Sequence, residues 1–503
     1  MPIRRVLIAN RGEIAVRVIR TLREMGITSI AIYSEPDRVA LHVLLADEAY
    51  PVGPGPARDS YLNQEKVLAA AKLARADAIH PGYGFFAENA DFARACERAG
   101  IAFIGPRPET ITALGDKLAA RAAAVAAGVP VIPGSPGPIG SLDEARVLGR
   151  EIGFPLMLKA AAGGGGKGMR IAHSEAELES AWAMARGEAQ AAFGDDRVFI
   201  ERAIARPRHV EAQILADDHG HVAFLGEREC SIQRRHQKLF EETPSPAFDA
   251  ATRAAFGEAA CRIARAVGYR SAGTVEFILD EDGRFYFLEV NTRLQVEHPV
   301  TELTTGLDLV AEQIRIAEGA ALSFGEQPPA PRGWAMEARV IAEDPARNFM
   351  PSVGRIERVR FPQGPGVRND AGIYRGYDVP VFYDSLLSKL VVWAEDRERA
   401  RMRMLRALHE FVLEGPHHNL GFHRWLLAHP EFAAGRLSTR FLEEHFRPEA
   451  LAPAGAASEV ALIAAALHAR EERLRVALPN GERADRAGWR WSERRRTPSR
   501  PRR

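Results

Sequence analysis

A run of glycines flanked by lysines is the first feature of this sequence that could do chemistry. Residues 163–166 are all glycine, and Lys159 and Lys167 lie on either side of them. Glycine lets backbone N–H groups approach phosphate oxygens closely, and lysine ammonium groups neutralise phosphate charge. Because Gly168 follows Lys167 and no helix is expected there, this is not a Walker loop. The pattern predicts a hairpin able to close over a polyphosphate, with a ligand-free glycine loop as the alternative.

A pair of carboxylates forms the second candidate site. Glu276 and Glu289 lie in alternating segments on either side of Asp282-Gly283, a dipeptide that favours a two-residue hairpin loop. Such a loop places the two glutamates opposite each other, with Cβ atoms about 5 Å apart. With Asn291 two residues further on, they offer hard oxygen ligands to Mg²⁺ or Mn²⁺. A three-residue loop would shift the register by one, and a solvated hairpin without metal is the alternative.

A third group follows directly, where Arg293, Gln295 and Glu297 combine a fixed cation, an amide and a carboxylate. Such a set suits a small oxyanion held by arginine, with Glu297 placed to take a proton. Polar residues are also dense upstream, around 208–211 and 227–238. Within them Cys230 is predicted to be a packed thiol rather than a nucleophile. The histidines there have no reliable metal-ligand spacing and could be structural imidazoles.

The elements that position these groups begin with a strand, a turn, a helix and a second strand. An apolar strand at 4–9 leads into a helix that ends at Gly26, and a second strand covers 29–33. This start predicts an α/β fold with an N-terminal doubly wound parallel sheet. Its first turn has one glycine and therefore lacks the dinucleotide-binding fingerprint.

Breaks in pattern divide the rest of the chain. A helical segment is expected at about 109–127, followed by a small unit with its own strands and a long mixed α/β region. The predicted divisions are an N-terminal α/β domain, a helical linker, a lid, a large C-terminal region, and a linker with an Arg-rich, disordered tail: 1–104, 105–131, 132–204, 205–446 and 447–503. A solvated tail is favoured over one that contacts RNA or lipid.

Composition narrows the class of protein. The 503 residues are 46% hydrophobic and 26% charged, with a formal net charge of +1. These values exclude a disordered chain, a collagen-like fibre and a disulfide scaffold, and give no global field for nucleic acid or an anionic membrane. No apolar run reaches bilayer length, and the N-terminus is typical of a strand rather than a signal peptide. Three widely spaced cysteines favour a reducing cytoplasm.

Five motifs in this order resemble biotin carboxylase, the ATP-grasp component of the biotin-dependent carboxylases. The resemblance covers about residues 3–446, and the last motif is the most specific. The motifs are Ile-Ala-Asn-Arg-Gly-Glu-Ile-Ala at 8–15, His-Pro-Gly-Tyr-Gly-Phe at 80–85, Gly-Gly-Gly-Gly-Lys-Gly-Met at 163–169, Gln-Arg-Arg-His-Gln-Lys at 233–238 and Glu-Val-Asn-Thr-Arg-Leu-Gln-Val-Glu-His-Pro at 289–299. The chain departs from the family pattern at Phe86-Ala87 and around His418.

The resemblance implies an ATP-grasp fold with an N-terminal α/β domain, a small glycine-loop lid and a larger mixed C-terminal domain. It also implies site residues. Those expected to bind the nucleotide are Lys117, Lys159, Gly164, Gly165, Gly166, Met169, Glu201, Ile204, His209, Gln233 and His236. Those expected to hold Mg²⁺ or Mn²⁺ are Glu276 and Glu289, with Asn291 nearby. Those expected to position bicarbonate are Lys238, Arg293, Gln295 and Val296. Glu297 is expected to be the base, Arg339 to stabilise the biotin enolate, and Tyr83 to line the biotin side.

The implied activity is carboxylation of biotin by bicarbonate, driven by ATP through carboxyphosphate, as the first half-reaction of an acyl-CoA carboxylase. None of the seven lysines has the context of a biotin-accepting lysine. The carrier protein and the carboxyltransferase, which selects the acyl-CoA, are therefore expected on other chains, and a homodimer is expected from the family. The alternatives are a fragment of a longer acyl-CoA carboxylase α chain, another ATP-grasp ligase of carbamoyl-phosphate or purine metabolism, and a nucleotide-binding regulatory subunit without catalysis.

Overall fold

The computed structural model describes residues 2–160, 169–325, 327–451, 460 and 462–470. The chain divides into two units, Met1–Ala450 and Leu451–Arg503. In the second unit, residues 460 and 462–470 are helical, and their described side chains are exposed. None of the helices in the described ranges is both long enough and apolar enough to cross a membrane.

The first unit begins with a five-stranded parallel sheet in the order β3-β2-β1-β4-β5. Val6, Leu7 and Ile8 of β1 are fully buried, as expected for a central strand covered on both faces. The strands are β1 Arg5–Ile8, β2 Thr28–Ser34, β3 Glu48–Gly53, β4 Ala78–His80 and β5 Ala102–Phe103; the helices are α1 Gly12–Glu24, α2 Leu41–Leu45, α3 Gln64–Leu73 and α4 Ala90–Arg98. The predicted doubly wound start is confirmed.

The helical segment predicted at 109–127 consists of two helices, α5 Pro108–Gly115 and α6 Lys117–Ala126. Asp116 between them has an extended backbone, and its side chain accepts a hydrogen bond from Ala119 N. This is an N-cap, so the second helix starts anew and places Lys117 at its first residue.

A three-stranded antiparallel sheet follows, in the order β7-β6-β8. It contains β6 Leu156–Ala160, β7 Met169–Ala172 and β8 Val198–Arg202, covered by α7 Leu142–Ile152 and α8 Glu175–Phe193. The strands predicted on either side of the glycine loop are thus β6 and β7, which pair antiparallel. Gly164, Gly165 and Gly166 themselves lie outside the described residues.

The largest sheet has eight strands in the order β13-β12-β9-β10-β11-β14-β21-β19. They are β9 Arg208–Ala216, β10 Val222–Arg234, β11 Gln237–Thr243, β12 Ser271–Leu279, β13 Phe285–Asn291, β14 Trp334–Ile341, β19 Val367–Ala371 and β21 Leu386–Ala394. Three short pairs accompany it: β15 Glu343–Asp344 with β16 Met350–Pro351, β17 Gly354–Arg355 with β20 Asp378–Val379, and β18 Arg358–Arg360 with β22 Val412–Glu414.

The helices of this region are α9 Ala250–Ala266, α10 His298–Thr305, α11 Leu309–Glu318, α12 Arg397–Glu410, α13 Leu420–Ala428, α14 Pro430–Ala433 and α15 Phe441–His445. Helix α9 packs on the sheet around Phe256 and Phe277, within a cluster of buried apolar side chains. The domain limits predicted from the sequence stay a prediction.

Candidate active site

A cleft of about 1600 Å³ opens between the parallel sheet, the three-stranded sheet and the eight-stranded sheet. Every predicted site residue within the described ranges contributes to its lining: Tyr83, Lys117, Lys159, Met169, Glu201, Ile204, His209, Gln233, His236, Lys238, Glu276, Glu289, Asn291, Arg293, Gln295, Val296, Glu297 and Arg339. The fold therefore gathers side chains from positions 83 to 339 around one space.

The hairpin β12–β13 carries the predicted carboxylate pair, but its loop differs from the prediction. The loop has three residues, 281–283, rather than two. That change alone would move Glu276 out of line with Glu289. A β-bulge at Leu288 corrects the shift, so that Glu276 lies opposite Glu289 after all.

The bulge has a physical reason in the side chains of β13. Phe285 and Phe287 pack in the core against Phe277, whereas Glu289 lines the cleft. All three β13 positions have the same parity, and a regular strand points such residues to one face. One extra residue, Leu288, is needed to turn the carboxylate to the other face.

The two facing carboxylates have different surroundings. Glu276 accepts hydrogen bonds from Asn291 Nδ2 at 2.8 Å and Gln295 Nε2 at 3.0 Å, while His209 Nε2 lies 2.7 Å away. Although burial opposes ionisation, Lys238 and His209 hold the pKa of Glu276 well below its usual range. Burial, followed by the charge of Glu276, raises the pKa of Glu289. Two close carboxylates, one with a destabilised charge, fit a divalent cation that both would ligate.

Lys238 connects this pair to the rest of the cleft. Its ammonium group lies 2.6 Å from Glu211, 3.0 Å from Glu276 and 2.8 Å from Glu297. All three carboxylates are buried, and their charges raise the pKa of Lys238 well above its usual value despite the opposing effect of burial. The lysine therefore stays charged at the centre of the site.

Glu297 lies between two cations. One carboxylate oxygen accepts from Lys238 Nζ, and the other accepts from Arg339 Nη2 at 2.8 Å. Burial opposes ionisation of Glu297, but Lys238 and Arg339 lower its pKa well below the usual value. Arg339 also donates from Nε to Glu241 at 2.6 Å. Glu297 is thus an ionised acceptor held in a fixed orientation.

The Arg293 guanidinium group is held by two near neighbours in sequence and by one residue of the N-terminal domain. Its Nη2 donates to Asn291 Oδ1 at 3.0 Å, its Nη1 donates to Gln295 Oε1, and its Nε donates to Glu88 at 2.9 Å. Glu88 also accepts from the backbone N–H of Thr292 at 2.9 Å. Sequence reasoning did not assign a role to Glu88, which fixes the guanidinium group from the N-terminal domain.

Family models match three consecutive parts of the chain. The model for the biotin carboxylase N-terminal domain matches residues 2–111, and that for the biotin carboxylase C-terminal domain matches residues 337–444. Between them, residues 116–324 match the ATP-binding domain of the carbamoyl-phosphate synthase L chain. Biotin carboxylase 1 of Bacillus subtilis is 52% identical over 444 residues, which cover 88% of this chain and 99% of that protein. The chain belongs to the biotin carboxylase family.

Other relatives and solved structures agree with this family. The propionyl-CoA carboxylase alpha chain of Ruegeria pomeroyi is 48% identical over 515 residues, covering 97% of this chain and 75% of that protein. The structure of Campylobacter jejuni biotin carboxylase with a β,γ-ATP complex has a TM-score of 0.85 and 45% identity, covering 88% of this chain and 99% of that one. The biotin carboxylase domain of Hydrogenobacter thermophilus 2-oxoglutarate carboxylase, a dimer bound to MgADP, ADP and bicarbonate, has a TM-score of 0.86 and 46% identity, covering 90% and 100%.

As a member of the biotin carboxylase family, the chain is a ligase that carboxylates biotin at the expense of ATP. The alternative of a carbamoyl-phosphate or purine-pathway ligase is not supported, because biotin carboxylase models match on both sides of the shared ATP-binding domain.

The lid side of this biotin carboxylase cleft carries a second cluster of charges. Lys159 forms an ion pair with Glu201, which also accepts from Arg121 Nη1 at 3.0 Å. Burial lowers the pKa of Lys117, because a charged ammonium group is costly to bury unless an anion pairs with it. Met169 and Ile204 give this side an apolar lining. Arg121, which the sequence analysis missed, follows Lys117 by four residues and therefore lies on the same face of α6.

The turn between β10 and β11 presents His236 to the cleft. Arg235 and His236 both have positive φ, 48° and 65°, a strained backbone for side chains other than glycine. Gln233 precedes this turn and is buried, whereas His236 is exposed. His209 also lines the cleft, and its Nε2 lies 2.7 Å from Glu276.

Tyr83 lines the cleft from the N-terminal domain, and Cys230 is buried close to Glu297. Asn10 Nδ2 donates to the carbonyl of Tyr83 at 2.7 Å and fixes its turn. The Cys230 thiol is fully buried, 3.8 Å from Glu297 Oε1, and burial raises its pKa well above the usual value. This agrees with a packed, protonated thiol and not with a nucleophile.

Several buried charges were not predicted from sequence. Glu211 and Arg228 form an ion pair at 2.6 Å with both side chains fully buried. Glu241 and Glu337 face each other on β11 and β14. The available signal was alternation: charged residues two apart in otherwise apolar strands must share one face, and a buried face of that kind marks a site.

Proposed function

We propose that the cleft carries out biotin carboxylation with a division of labour among its residues. Lys117, Lys159, Met169, Glu201, Ile204, Gln233 and His236 would hold the nucleotide, together with the glycine loop Gly164, Gly165 and Gly166. Lys117 and Lys159 would supply charge to phosphate oxygens, and Met169 and Ile204 would supply apolar contact for the base. His209, which lines the cleft and is hydrogen bonded to Glu276, would also contact the nucleotide.

Glu276 and Glu289 would ligate the metal, with Asn291 adjacent. Mg²⁺ or Mn²⁺ bound there neutralises charge on the transferring phosphoryl group. The support is the facing pair itself, in which Glu289 has a raised pKa next to Glu276. A cation that binds both carboxylates would relieve this repulsion.

Bicarbonate would bind where Arg293, Gln295, Val296 and Lys238 meet, beside Glu297. Arg293 and Lys238 offset its charge, and Glu297 accepts its proton. The bicarbonate oxygen then bonds to the γ-phosphorus of ATP as the bond to the bridging oxygen breaks, which gives carboxyphosphate and ADP. The observation that carries this assignment is the ionised Glu297 held between Lys238 and Arg339.

Biotin would lie near Arg339 and Tyr83. Carboxyphosphate releases CO₂, and the phosphate left behind takes the N1′ proton of biotin. Arg339 stabilises the enolate form, whose nitrogen attacks CO₂. Exclusion of water from the cleft protects carboxyphosphate from hydrolysis.

The chain would work with partner chains. We propose that a separate carrier protein presents biotin and that a carboxyltransferase uses the product, with this chain as a homodimer in the cytoplasm. Three buried free cysteines are compatible with a reducing compartment. A propionyl-CoA type of carboxylase is the second candidate, because the R. pomeroyi alpha chain aligns with 97% of this chain.

The test is ADP release by the purified chain with MgATP and bicarbonate, with and without free biotin. We expect bicarbonate-dependent turnover that rises with biotin. Bicarbonate-dependent turnover that ignores biotin would contradict biotin as acceptor. ATP binding without turnover, even with carrier protein added, would favour a regulatory subunit.

A further inference from the structure

A lysine outside the predicted site is buried at the junction of three parts of the fold. Lys389 lies on β21, and its side chain is fully buried. Burying a lysine ammonium group is costly unless it is paired and hydrogen bonded. None of the roles proposed above uses this residue, so its contacts need an explanation.

Three segments of the described chain contact the Lys389 side chain. Its Nζ donates to the carbonyl of Val296 at 2.9 Å and lies 3.2 Å from Glu13 Oε2. It also lies 5.7 Å from the centre of the Tyr83 ring, within the range of a cation–π contact. One ammonium group therefore joins the segment 293–297 to two residues of the N-terminal domain.

The position of Val296 makes the first contact important. Val296 lies between Gln295 and Glu297, so the orientation of its carbonyl sets the peptide plane that leads directly to Glu297. Lys389 is also paired in register with Arg339 on the neighbouring strand, and paired residues point to the same face. Lys389 thus lies beside Arg339, a hydrogen-bond partner of Glu297, and its ammonium group holds the backbone that directly precedes Glu297.

Glu13 reaches the lysine because helix α1 approaches the large sheet closely. A Cβ atom at Gly372 would lie only 2.7 Å from Glu13 N, so this approach requires glycine there. Glu13 is the second residue of α1, in the Asn-Arg-Gly-Glu motif whose Asn10 fixes Tyr83. The motif thus provides a fixed contact, next to the cleft, between the N-terminal domain and the eight-stranded sheet.

We propose that Lys389 is a positioning residue, which orients the bicarbonate-binding segment 293–297 through the Val296 carbonyl while Glu13 holds it from the N-terminal domain. This inference rests on the proposed binding of bicarbonate by that segment.

A role in stability alone does not account for these contacts. Burial raises the pKa of Glu13 to about 7 even though the Lys389 ammonium group lies 3.2 Å from Glu13 Oε2. A buried pair of this kind is often replaced by apolar residues without loss of stability. The directional bond to Val296 is what an apolar pair could not supply.

The first test compares Lys389→Met with the unaltered chain in the biotin-dependent assay. We expect the KM for bicarbonate to rise about tenfold, the effect of losing one hydrogen bond from a charged donor, with the KM for ATP within about twofold. A bicarbonate KM that stays unchanged in a folded variant would overturn the proposal.

A double variant separates positioning from stability. Lys389→Met with Glu13→Gln removes both buried charges, so thermal stability should recover toward that of the unaltered chain, while the bicarbonate KM stays raised. If Lys389→Met alone does not fold, the double variant still decides: normal bicarbonate KM in it contradicts the positioning role.

Arg293→Lys distinguishes this inference from the proposed function. It should raise the bicarbonate KM because a bidentate anion contact is lost. If Arg293→Lys raises this KM and the Lys389 variants do not, the inference fails and the proposed bicarbonate site stands. If neither raises it, the proposed site itself is wrong.

Discussion

Replacing Glu297 by glutamine tests the central assignment of the site, and the structure predicts that the variant folds. The ion pairs around Lys238 connect four carboxylates, Glu211, Glu241, Glu276 and Glu297, with three cations, Lys238, Arg228 and Arg339. Removing one negative charge leaves three of each sign. Lys238 keeps two carboxylate partners and Arg339 keeps one, so no cation is left buried without a partner.

The effect on catalysis should be much larger than the effect on stability. Loss of a positioned general base typically lowers the rate by about 10²- to 10⁴-fold, which corresponds to about 3–5 kcal/mol of transition-state free energy. Glutamine can still accept a hydrogen bond from Lys238 or Arg339, but it cannot take a proton from bicarbonate. We therefore expect kcat to fall by that factor while ATP binds as before.

The assay is ADP release at saturating MgATP, bicarbonate and biotin, with ATP affinity measured separately by calorimetry. The matched control is Glu241→Gln, which removes the same charge from the other side of Arg339 without facing Lys238. A kcat for Glu297→Gln within about tenfold of the unaltered chain would refute the base assignment. An equal loss in both variants would instead mean that Arg339 orientation, not proton transfer, was disturbed.

Three further outcomes follow from the structure. Burial lowers the pKa of His42, His80 and His423 to about 4. Because unfolding then takes up protons between pH 6.5 and 4, the free energy of unfolding should rise with pH across that window and fall on acidification by up to about 3 kcal/mol per histidine. His42→Gln should therefore flatten the pH dependence of the urea midpoint. Glu289→Gln should weaken Mn²⁺ binding about tenfold or more, measured by electron paramagnetic resonance, whereas unchanged binding would remove Glu289 from the metal site. Asn419→Ala removes the acceptor of the Ile341 N–H, at 2.9 Å, while the Arg339 carbonyl keeps His423 as a partner, so the substitution should cost about 1–3 kcal/mol. A melting temperature equal to that of the unaltered chain would contradict this.

Local sequence patterns predicted the secondary-structure elements around the cleft better than they predicted the contacts between them. The βαβ start and the strands beside the glycine loop follow from apolar periodicity, which is a local property. The bulge at Leu288 was missed, although the equal parity of Phe287 and Glu289, one apolar and one acidic, already required it. Turn preference at residues 282–283 is weaker than the packing of the phenylalanines, so the longer loop formed.

The charge network could not be predicted because it depends on contacts distant in sequence. Glu88 reaches Arg293 across 205 residues and Arg339 reaches Glu297 across 42. The sequence contains no signal for which of its many carboxylates approaches which arginine. The family resemblance supplied the predicted site residues but not the residues that contact and hold them, which only the fold brings together.

The order of strands in the large sheet also sets a distance. Neighbouring strands are about 4.8 Å apart, so the four steps from β12 through β9, β10 and β11 to β14 separate the backbones that carry Glu276 and Arg339 by about 19 Å. Side-chain substitutions alter what spans this interval but not its length. The number of strands between them therefore sets the spacing along the sheet of the backbones that carry Glu276 and Arg339.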